Sequence, residues 1–157
     1  MNEMILQATS AAEIEEIRAL FIEYAASLGF SLCFQNFQSE LDGLPGRYAA
    51  PRGLLLLARS VSGAPAGCIG VRPLPDNLCE MKRLYVRPQF RGTRLGRTLV
   101  EQALAWAASA GYGAMVLDTI PGKMDSAIRL YRELGFIERR AYYPSPIEGT
   151  LYLEKHL

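Results

Sequence analysis

The amino-acid sequence predicts one mixed α/β domain, and three observations support this prediction. The chain has 157 residues, which fits a single domain of roughly 100–200 residues. Half of its residues are hydrophobic and 21% are charged, a composition typical of soluble globular proteins. Helical apolar stripes and short buried runs follow one another along the chain, without an internal repeat or a linker that would divide it.

The formal net charge of +1 argues against a nucleic-acid partner, which usually requires a strong basic excess. The N-terminus lacks the basic and apolar regions of a signal peptide, and no run approaches the ~18 apolar residues of a membrane helix. We therefore expect a cytoplasmic protein that has neither nucleic acid nor a membrane as its partner. A homodimer is left open.

The three cysteines predict neither a disulfide framework nor a zinc site. Cys33, Cys68 and Cys79 are odd in number and show no Cys-x-x-Cys spacing. We expect buried free thiols and no bound metal.

The N-terminal half is predicted to contain four strands and a long helix. Residues 5–8 form a short strand, and Ser10 and Glu13 then have the spacing of a capping box. A helical apolar stripe follows, formed by Ile14, Ile17, Phe21, Tyr24 and Leu28. Gly29 ends this helix, and residues 30–51 are predicted as a packed loop with a short helix. The other strands are predicted at residues 54–59, 66–71 and 79–86.

The C-terminal half is predicted to contain two more helices and three more strands. The first helix covers residues 92–110 and is closed by Gly111. The second covers residues 126–134 and is followed by Gly135. The strands are predicted at residues 114–119, 137–142 and 150–154.

The most informative segment runs from Glu80 to Gly96, where a strand leads into an Arg/Gly turn and then into a long helix. A turn that leads into a helix presents free backbone N–H groups beside the positive end of the helix dipole. The segment therefore predicts an anion site that suits the pyrophosphate of a nucleotide-like cofactor.

Two blocks of sequence make this prediction more specific. The first is Leu84-Tyr85-Val86-x-Pro88 followed by Arg91-Gly92-Thr93-Arg94-Leu95-Gly96, and the second is Ala127-x-x-Leu130-Tyr131-x-x-x-Gly135-Phe136. Together they resemble the GNAT superfamily of acetyl-CoA-dependent N-acetyltransferases, and the likeness in element order covers nearly the whole chain. The resemblance implies an α/β (α+β) fold with one GNAT-like domain over residues 1–157. It implies a mixed, mostly antiparallel, twisted sheet of about six to seven strands flanked by about four helices.

The resemblance implies acetyl-CoA as the co-substrate, with its pyrophosphate held by the backbone N–H groups of Arg91, Gly92, Thr93, Arg94, Leu95 and Gly96. Arg97 would add positive charge. The alternative is that Gly92 and Gly96 only mark a helix start. The family usually has Gly where this chain has Arg94, because Gly accepts a positive φ. We expect the turn to bind pyrophosphate nonetheless, with the Arg94 side chain pointing outward.

The strand formed by Leu84, Tyr85 and Val86 is implied to pair with the pantetheine arm. The Val86 N–H would polarise the thioester carbonyl, as a backbone donor does at an oxyanion. The second block in the family often begins with Asn, where this chain has Met124. Ser126 is therefore the candidate for that polar contact.

Two residues are candidates for proton transfer. The resemblance implies that the Tyr131 phenol protonates the departing thiolate, and the alternative is a core aromatic residue. Glu80 matches the position of the general base in the histone-acetylating branch. Its alternatives are an ion pair with Lys82 or Arg83, or a solvated carboxylate at the strand end. Asp118 is interpreted as a turn or cap residue that could face the acceptor, and His156 as a surface residue.

The predicted function is transfer of an acetyl group from acetyl-CoA to a primary amine, by direct attack in a ternary complex. The alternatives are transfer of a longer acyl group and a non-catalytic acyl-CoA sensor. The acceptor, a small molecule or a peptide amine, is expected to contact residues 30–48 and 142–149, because such loops carry specificity. Those segments hold Phe34, Phe37, Tyr48, Tyr142 and Tyr143, with Glu40 and Asp42 as candidate partners for a cationic amine. The aromatic residues could equally be packing.

Overall fold

The computed structural model describes residues 4–157, apart from the side chain of Phe34. Within this range, seven strands form one sheet: β1 (Met4–Gln7), β2 (Leu54–Arg59), β3 (Pro65–Leu74), β4 (Leu78–Val86), β5 (Ala114–Thr119), β6 (Ile137–Arg139) and β7 (Leu151–His156). The helices are α1 (Ala11–Ser27), α2 (Phe37–Asp42), α3 (Leu95–Ser109) and α4 (Asp125–Glu133), with short 3-10 turns at Cys33–Gln35, Gly46–Tyr48 and Pro88–Phe90. None of the helices in residues 4–157 is long and apolar enough to cross a membrane.

The sheet has the order β1-β2-β3-β4-β5-β7-β6, and only the β4–β5 pair is parallel. This mixed, mostly antiparallel sheet with four helices confirms the predicted fold class. The β4–β5 ladder runs from Leu78 paired with Ala114 to Glu80 paired with Val116. Both strands continue past that point, to Val86 and Thr119. The two central strands therefore separate at one end of the sheet.

Apolar side chains cover both faces of the sheet and form two cores. Strand β2 shows this directly, because Leu54 and Leu56 belong to the core under α3 and α4, whereas Leu55 and Leu57 belong to the core under α1. Successive side chains of a strand point to opposite faces, so a run of four leucines serves both cores.

Strand β4 contains a β-bulge at the point where the strands begin to separate. The register with β3 shifts between the pair Gly70–Lys82 and the pair Cys68–Tyr85, and Arg83 has a φ of 61°. A bulge places one extra residue on one strand and re-aims its side chains. Here Lys82 and Arg83, although adjacent, both donate to the side-chain oxygen of Gln35 at 2.8 Å, on the α1 side of the sheet.

The start of α1 confirms the predicted capping box. The Glu13 N–H donates to Ser10 Oγ at 3.2 Å, and the Ser10 N–H donates to Glu13 Oε1 at 3.0 Å. Gly29, just beyond the helix, has a φ of 78°, a conformation that favours glycine.

Three predicted boundaries differ from the structure by three residues, and several others differ by one or two. Helix α3 begins at Leu95, three residues later than predicted, because Gly92 and Arg94 have φ values of 84° and 65°, which no α-helix contains. Strand β3 continues three residues beyond the predicted end at residue 71, through Pro73 to Leu74. Strand β6 ends at Arg139 rather than at residue 142. The chain leaves the sheet there, and the next side chains turn toward β4 and β5.

All three cysteines are free thiols, but they are not all buried. Cys68 and Cys79 lie in the core, as predicted, whereas Cys33 is exposed. The prediction was wrong for Cys33 because it lies on a short 3-10 turn, outside both cores.

Candidate functional site

A cleft of about 1040 Å³ opens where β4 and β5 separate, and it passes between the two layers of helices. One end is lined by the turn before α3, by the start of α3 and by α4. The other end is lined by α1 and the loop after it, by β4 and by the end of β5. The two ends are named here the anion end and the acceptor end.

The turn at the anion end presents free backbone donors. The first backbone donor of α3 with a partner is Thr98, whose N–H bonds to the Arg94 carbonyl at 3.1 Å. The N–H groups of Leu95, Gly96 and Arg97 therefore have no partner inside the helix, and they lie at the positive end of its dipole. The Arg91 guanidinium donates to the Val86 carbonyl at 2.8 Å, which ties the turn to β4. This arrangement fits a bound pyrophosphate.

Arg94 occupies the left-handed conformation that the turn requires. Its φ of 65° explains why glycine suits this position, and its side chain is exposed. At Gly92 a Cβ atom would meet nothing within 4 Å, so its φ of 84° rather than lack of space favours glycine. The backbone of the turn therefore keeps its shape with Arg94 in place.

Basic side chains surround the anion end. They are Arg91, Arg94, Arg97, Lys123 and Arg129. Arg97 also forms ion pairs with Glu133 at 3.0 Å and with Glu101 at 3.5 Å. Ser126 lines the same wall at the start of α4. This positive charge favours the binding of phosphate groups, because charged donors form strong, charge-assisted hydrogen bonds to phosphate oxygens.

Strand β4 offers an unpaired backbone edge to the cleft. The Arg87 N–H donates to the Ala66 carbonyl on β3 at 2.8 Å. Because successive N–H groups of a strand point to opposite sides, the Val86 N–H points away from β3, into the gap. Leu84 and Val86 pack against the core under α3, whereas Tyr85 packs in the core under α1. An extended ligand can therefore bond to this edge as an added strand would.

Tyr131 lies on the wall of the cleft and also in the core. Its side chain is 5% exposed and packs against Phe136, with ring centroids 5.7 Å apart. No residue of the described chain hydrogen-bonds to its hydroxyl. Burial raises the pKa of Tyr131 above its usual range, so the phenol is protonated at neutral pH and can donate a proton.

Glu80 is buried behind Lys82 and does not line the cleft. It accepts from Arg72 Nε at 2.8 Å and from the Tyr142 hydroxyl at 2.6 Å, and Lys82 Nζ lies 3.9 Å away. Burial raises the pKa of Glu80, but the charges of Lys82 and Arg72 outweigh it and hold that pKa below the usual value. These contacts match the ion-pair alternative.

The structure brings most of the predicted site residues to one cleft. Those that line it are Leu84, Tyr85, Val86, Arg91, Gly92, Arg94, Leu95, Gly96, Arg97, Ser126 and Tyr131. Glu80 and Thr93 do not. Thr93 is exposed, and its hydroxyl donates to the Phe90 carbonyl at 2.8 Å, which closes the turn from outside.

The acceptor end combines an apolar wall with a few polar groups. The wall is formed by Tyr24, Leu28, Phe30 and Leu32, and the polar groups belong to Gln35, Lys82, Arg83, Asp118 and Ser145. The sequence did not point to Gln35, and it indicated Lys82 only as a possible ion-pair partner of Glu80. Two adjacent cations inside a buried strand, Lys82 and Arg83, were the available signal, because a buried charge needs partners.

The two carboxylates proposed as partners for a cationic amine, Glu40 and Asp42, do not line the cleft. Glu40 accepts from Arg83 at 2.9 and 3.1 Å and from the Tyr48 hydroxyl at 2.9 Å. Asp42 is exposed outside the cleft and accepts from Gln38 at 2.9 Å. Both were assigned from their position in the loop, without knowledge of these partners, and their role toward an amine stays a prediction.

The aromatic residues of residues 30–48 and 142–149 lie in different environments. Tyr48 is buried and packs edge-on against Phe21, a structural role. Phe37 packs in the core under α1. The Tyr142 and Tyr143 hydroxyls donate to Glu80 and Asp118. The side chain of Phe34 lies outside the described residues.

Comparison with known proteins agrees with this geometry. A model of the acetyltransferase (GNAT) family matches residues 14–136. An uncharacterised N-acetyltransferase of Schizosaccharomyces pombe is 39% identical over 90% of this chain and 86% of its own. A GNAT-family acetyltransferase from Staphylococcus aureus has a similar structure, with a TM-score of 0.79, 21% identity and 99% of each chain covered. The PaiA N-acetyltransferase of Thermoplasma acidophilum, solved in complex with coenzyme A, has a TM-score of 0.75 at 17% identity, with 100% of each chain covered.

Proposed function

Because this chain belongs to the acetyltransferase (GNAT) family, we propose that it transfers an acetyl group from acetyl-CoA to a primary amine. Membership of the family supports acyl transfer from an acyl-CoA donor. One observation carries the finer proposal: a single cleft joins a donor-rich turn to an acceptor end through the gap between β4 and β5. An extended donor molecule fits such a passage, with the acceptor entering from the opposite side.

The donor is held by the anion end and by the edge of β4. The N–H groups of the turn from Arg91 to Gly96 bind its pyrophosphate, with charge from Arg97 and a polar contact from Ser126. The backbone of Leu84, Tyr85 and Val86 pairs with the pantetheine arm. The Val86 N–H donates a hydrogen bond to the carbonyl oxygen of the thioester. An N–H in this position stabilises the negative charge that develops on the carbonyl oxygen during the attack.

The amine attacks directly, in a complex that contains both substrates. A covalent acyl-enzyme on cysteine would need a reactive thiol in the cleft, and none of the three cysteines lines it. Burial raises the pKa of Cys79 to about 12 and raises the pKa of Cys68 further. Both are therefore poor nucleophiles. The Tyr131 hydroxyl protonates the thiolate as it leaves.

The acceptor is a small-molecule or peptide amine, and no metal takes part in this proposal. The whole chain, residues 1–157, acts as one domain, and the cytoplasm is its proposed location. The acceptor end provides for the amine an apolar wall together with polar and charged groups.

The proposal is tested by release of free thiol from acetyl-CoA in the presence of a panel of amines. We expect thiol release that depends on the amine, with a matching acetylated product found by mass spectrometry. Binding of acetyl-CoA without any thiol release would identify a sensor instead. A preference for a longer acyl-CoA in the same assay would identify the other alternative.

The role of Tyr131 is tested by Tyr131→Phe. We expect the variant to lower kcat about 100-fold, because a positioned general acid contributes roughly 10²–10⁴. The Kd for acetyl-CoA, measured by calorimetry, should not change. Tyr112→Phe is the matched control, because the Tyr112 hydroxyl donates to the Arg52 carbonyl at 2.6 Å, outside the cleft. Unchanged turnover in Tyr131→Phe would remove the residue from the mechanism.

A further inference from the structure

Asp118 is the carboxylate that the fold places at the acceptor end of the cleft. Among the described residues, three carboxylates line the cleft: Asp118, Asp125 and Glu133. Asp125 accepts from the Gly122 N–H at 2.7 Å, and Glu133 pairs with Arg97, so both belong to the anion end. Asp118 lies on β5 two residues beyond Val116, the last residue paired with β4. It therefore stands at the edge of the gap.

The two oxygens of Asp118 have different surroundings. Oδ2 accepts from the Tyr143 hydroxyl, which fixes the orientation of the carboxylate. Oδ1 has no hydrogen bond within the described part of the chain, and its nearest cation, Lys82 Nζ, is 4.0 Å away. That separation is too long for a hydrogen bond. The side chain is 14% exposed, so one oxygen is held and the other is free to accept from a ligand.

Glu80 offers no comparable oxygen. Oε1 accepts from Arg72 and Oε2 from Tyr142, and the side chain is 2% exposed. An amine could reach it only by displacing these partners, which would break the Arg72–Glu80 pair at 2.8 Å.

We propose that Asp118 binds the ammonium group of the acceptor through Oδ1 and takes up its proton. This inference rests on the proposed acetyl transfer and assigns the base within it. Tyr143 is a positioning residue, because it holds the other oxygen.

Titratable groups from five other segments surround Asp118. They are Lys82 on β4, Tyr24 on α1, Tyr131 on α4, Tyr142 and Tyr143 in the loop after β6, and Tyr152 on β7. The tyrosines are neutral in the working range of pH. Burial, together with the charge of Arg83, lowers the pKa of Lys82 to about 8. An arriving ammonium group therefore meets a lysine that gives up its proton more readily than an exposed one.

The protons and bonds balance without a further reactant. Asp118 takes one proton from the ammonium group and later releases it to solvent. The neutral amine forms a C–N bond with the acetyl carbon while the C–S bond breaks. The thiolate takes the Tyr131 proton, and the second proton lost by the nitrogen restores the phenol. The products are an amide, a free thiol and one proton.

The test compares the activities of the Asp118→Asn and Glu80→Gln variants toward the acceptor that the amine panel identifies. We expect Asp118→Asn to lower kcat/KM for the acceptor about 100-fold and to remove the acidic limb of its pH profile, because an amide cannot take up the proton. The Kd for acetyl-CoA should stay unchanged, which shows that the fold is intact. Glu80→Gln should keep the acidic limb, whatever its effect on stability.

A second variant, Tyr143→Phe, tests the positioning role without touching the carboxylate. We expect kcat/KM for the acceptor to fall, because the variant removes the hydrogen bond that fixes the orientation of the Asp118 carboxylate. The acceptor KM should rise while the Kd for acetyl-CoA does not. This variant decides the matter if Asp118→Asn fails to fold.

Three results would overturn the inference. The first is an acidic limb that persists in Asp118→Asn, and the second is one that disappears in Glu80→Gln alone. The third is a Tyr143→Phe variant whose KM for the acceptor equals that of the wild type. Each of these leaves acetyl transfer by the wild-type protein intact. A wild-type protein that binds acetyl-CoA and acetylates no amine would instead overturn the proposed function, and this inference with it.

Discussion

Arg94 shows how one residue can keep a turn while changing its chemistry. Its φ of 65° is the left-handed conformation, which costs an L-residue roughly 1–2 kcal/mol relative to glycine. The turn nevertheless forms, because α3 packs against the core through Leu95 and Leu99. In return for this strain, the chain places an exposed cation beside three free N–H groups. The side chain therefore adds charge where the pyrophosphate is proposed to bind.

For Arg94→Gly we expect a Kd for acetyl-CoA that is about 3–10-fold higher at low salt, because one charge near the phosphates is lost. The difference should shrink at high salt, as screening requires. The free energy of unfolding should change by less than about 1 kcal/mol, because relief of strain and the larger entropy of unfolded glycine oppose each other. Calorimetry and urea denaturation measure the two quantities. Arg94→Lys is the matched control and should bind as the wild type does, whereas tighter binding by Arg94→Gly would show that the side chain obstructs the site.

Helix α1 is the element that closes the second face of the sheet. Ile14, Ile17, Leu20 and Phe21 are buried on it. Its start is set locally by the Ser10–Glu13 capping box. The same helix carries Tyr24 to the acceptor end of the cleft, so the stability of its first turns supports the site.

Ser10→Ala should lower the free energy of unfolding by about 1 kcal/mol, because one N–H at the start of α1 loses its acceptor. The measurement is urea denaturation followed by circular dichroism. Thr9→Ala is the matched control, since Thr9 contributes only its backbone N–H, which donates to Glu13 at 3.0 Å. Equal midpoints for the two variants would mean that the capping box does not stabilise the helix.

At the scale of the whole molecule, a buried network of charges joins both sides of the gap between β4 and β5. Its cations are Arg72, Lys82 and Arg83, and its carboxylates are Glu40, Glu80 and Asp118. The network connects α2, β3, β4 and β5. Burial raises the pKa of Glu40, but hydrogen bonding and charge from Arg83 outweigh it and lower that pKa below its usual value. For Glu80 the charges of Lys82 and Arg72 outweigh burial in the same way. The fold therefore depends on both carboxylates being ionised.

This dependence predicts a loss of stability in acid. A carboxylate whose pKa is lower in the folded protein contributes stability above its unfolded value of 4.5, and that contribution disappears as the pH falls through the folded value. We therefore expect the free energy of unfolding to decrease as the pH falls below about 4.5. In the Glu40→Gln variant this decrease should be less steep. At neutral pH, Glu40→Gln should cost about 3–5 kcal/mol, because Arg83 stays buried without its partner.

The matched control for this prediction is Glu133→Gln, which breaks a pair whose carboxylate is 56% exposed. Its cost should be at most about 1 kcal/mol. Thermal denaturation of both variants across the acid range provides the comparison. If the stability of Glu40→Gln fell with decreasing pH as steeply as that of the wild type, Glu40 would not be responsible for the acid sensitivity.

The local sequence was sufficient to predict most helices and strands and the turn at the anion end. The helical stripe of α1, its capping box and the strand Leu54–Arg59 follow from spacing within a few residues. The turn from Arg91 to Gly96 depends on residues next to one another, and so does its link to α3. Such features can be predicted without tertiary information because their hydrogen bonds and apolar faces are formed by neighbouring residues.

The acceptor end was decided only by the tertiary structure. Glu80 and Asp118 are both polar residues in core strands, and nothing in their neighbours along the chain says which one reaches the cleft. The bulge in β4, the early end of β6 and the return of Tyr142 and Tyr143 bury one carboxylate and leave an oxygen of the other free. The hydrogen bonds that decide this join separate segments: Tyr142 lies 62 residues from Glu80 in the sequence, and Tyr143 lies 25 residues from Asp118. The chain's own sequence thus determined the fold and the anion end, because these depend on neighbouring residues, whereas the packing of distant segments decided which carboxylate lines the acceptor end of the cleft.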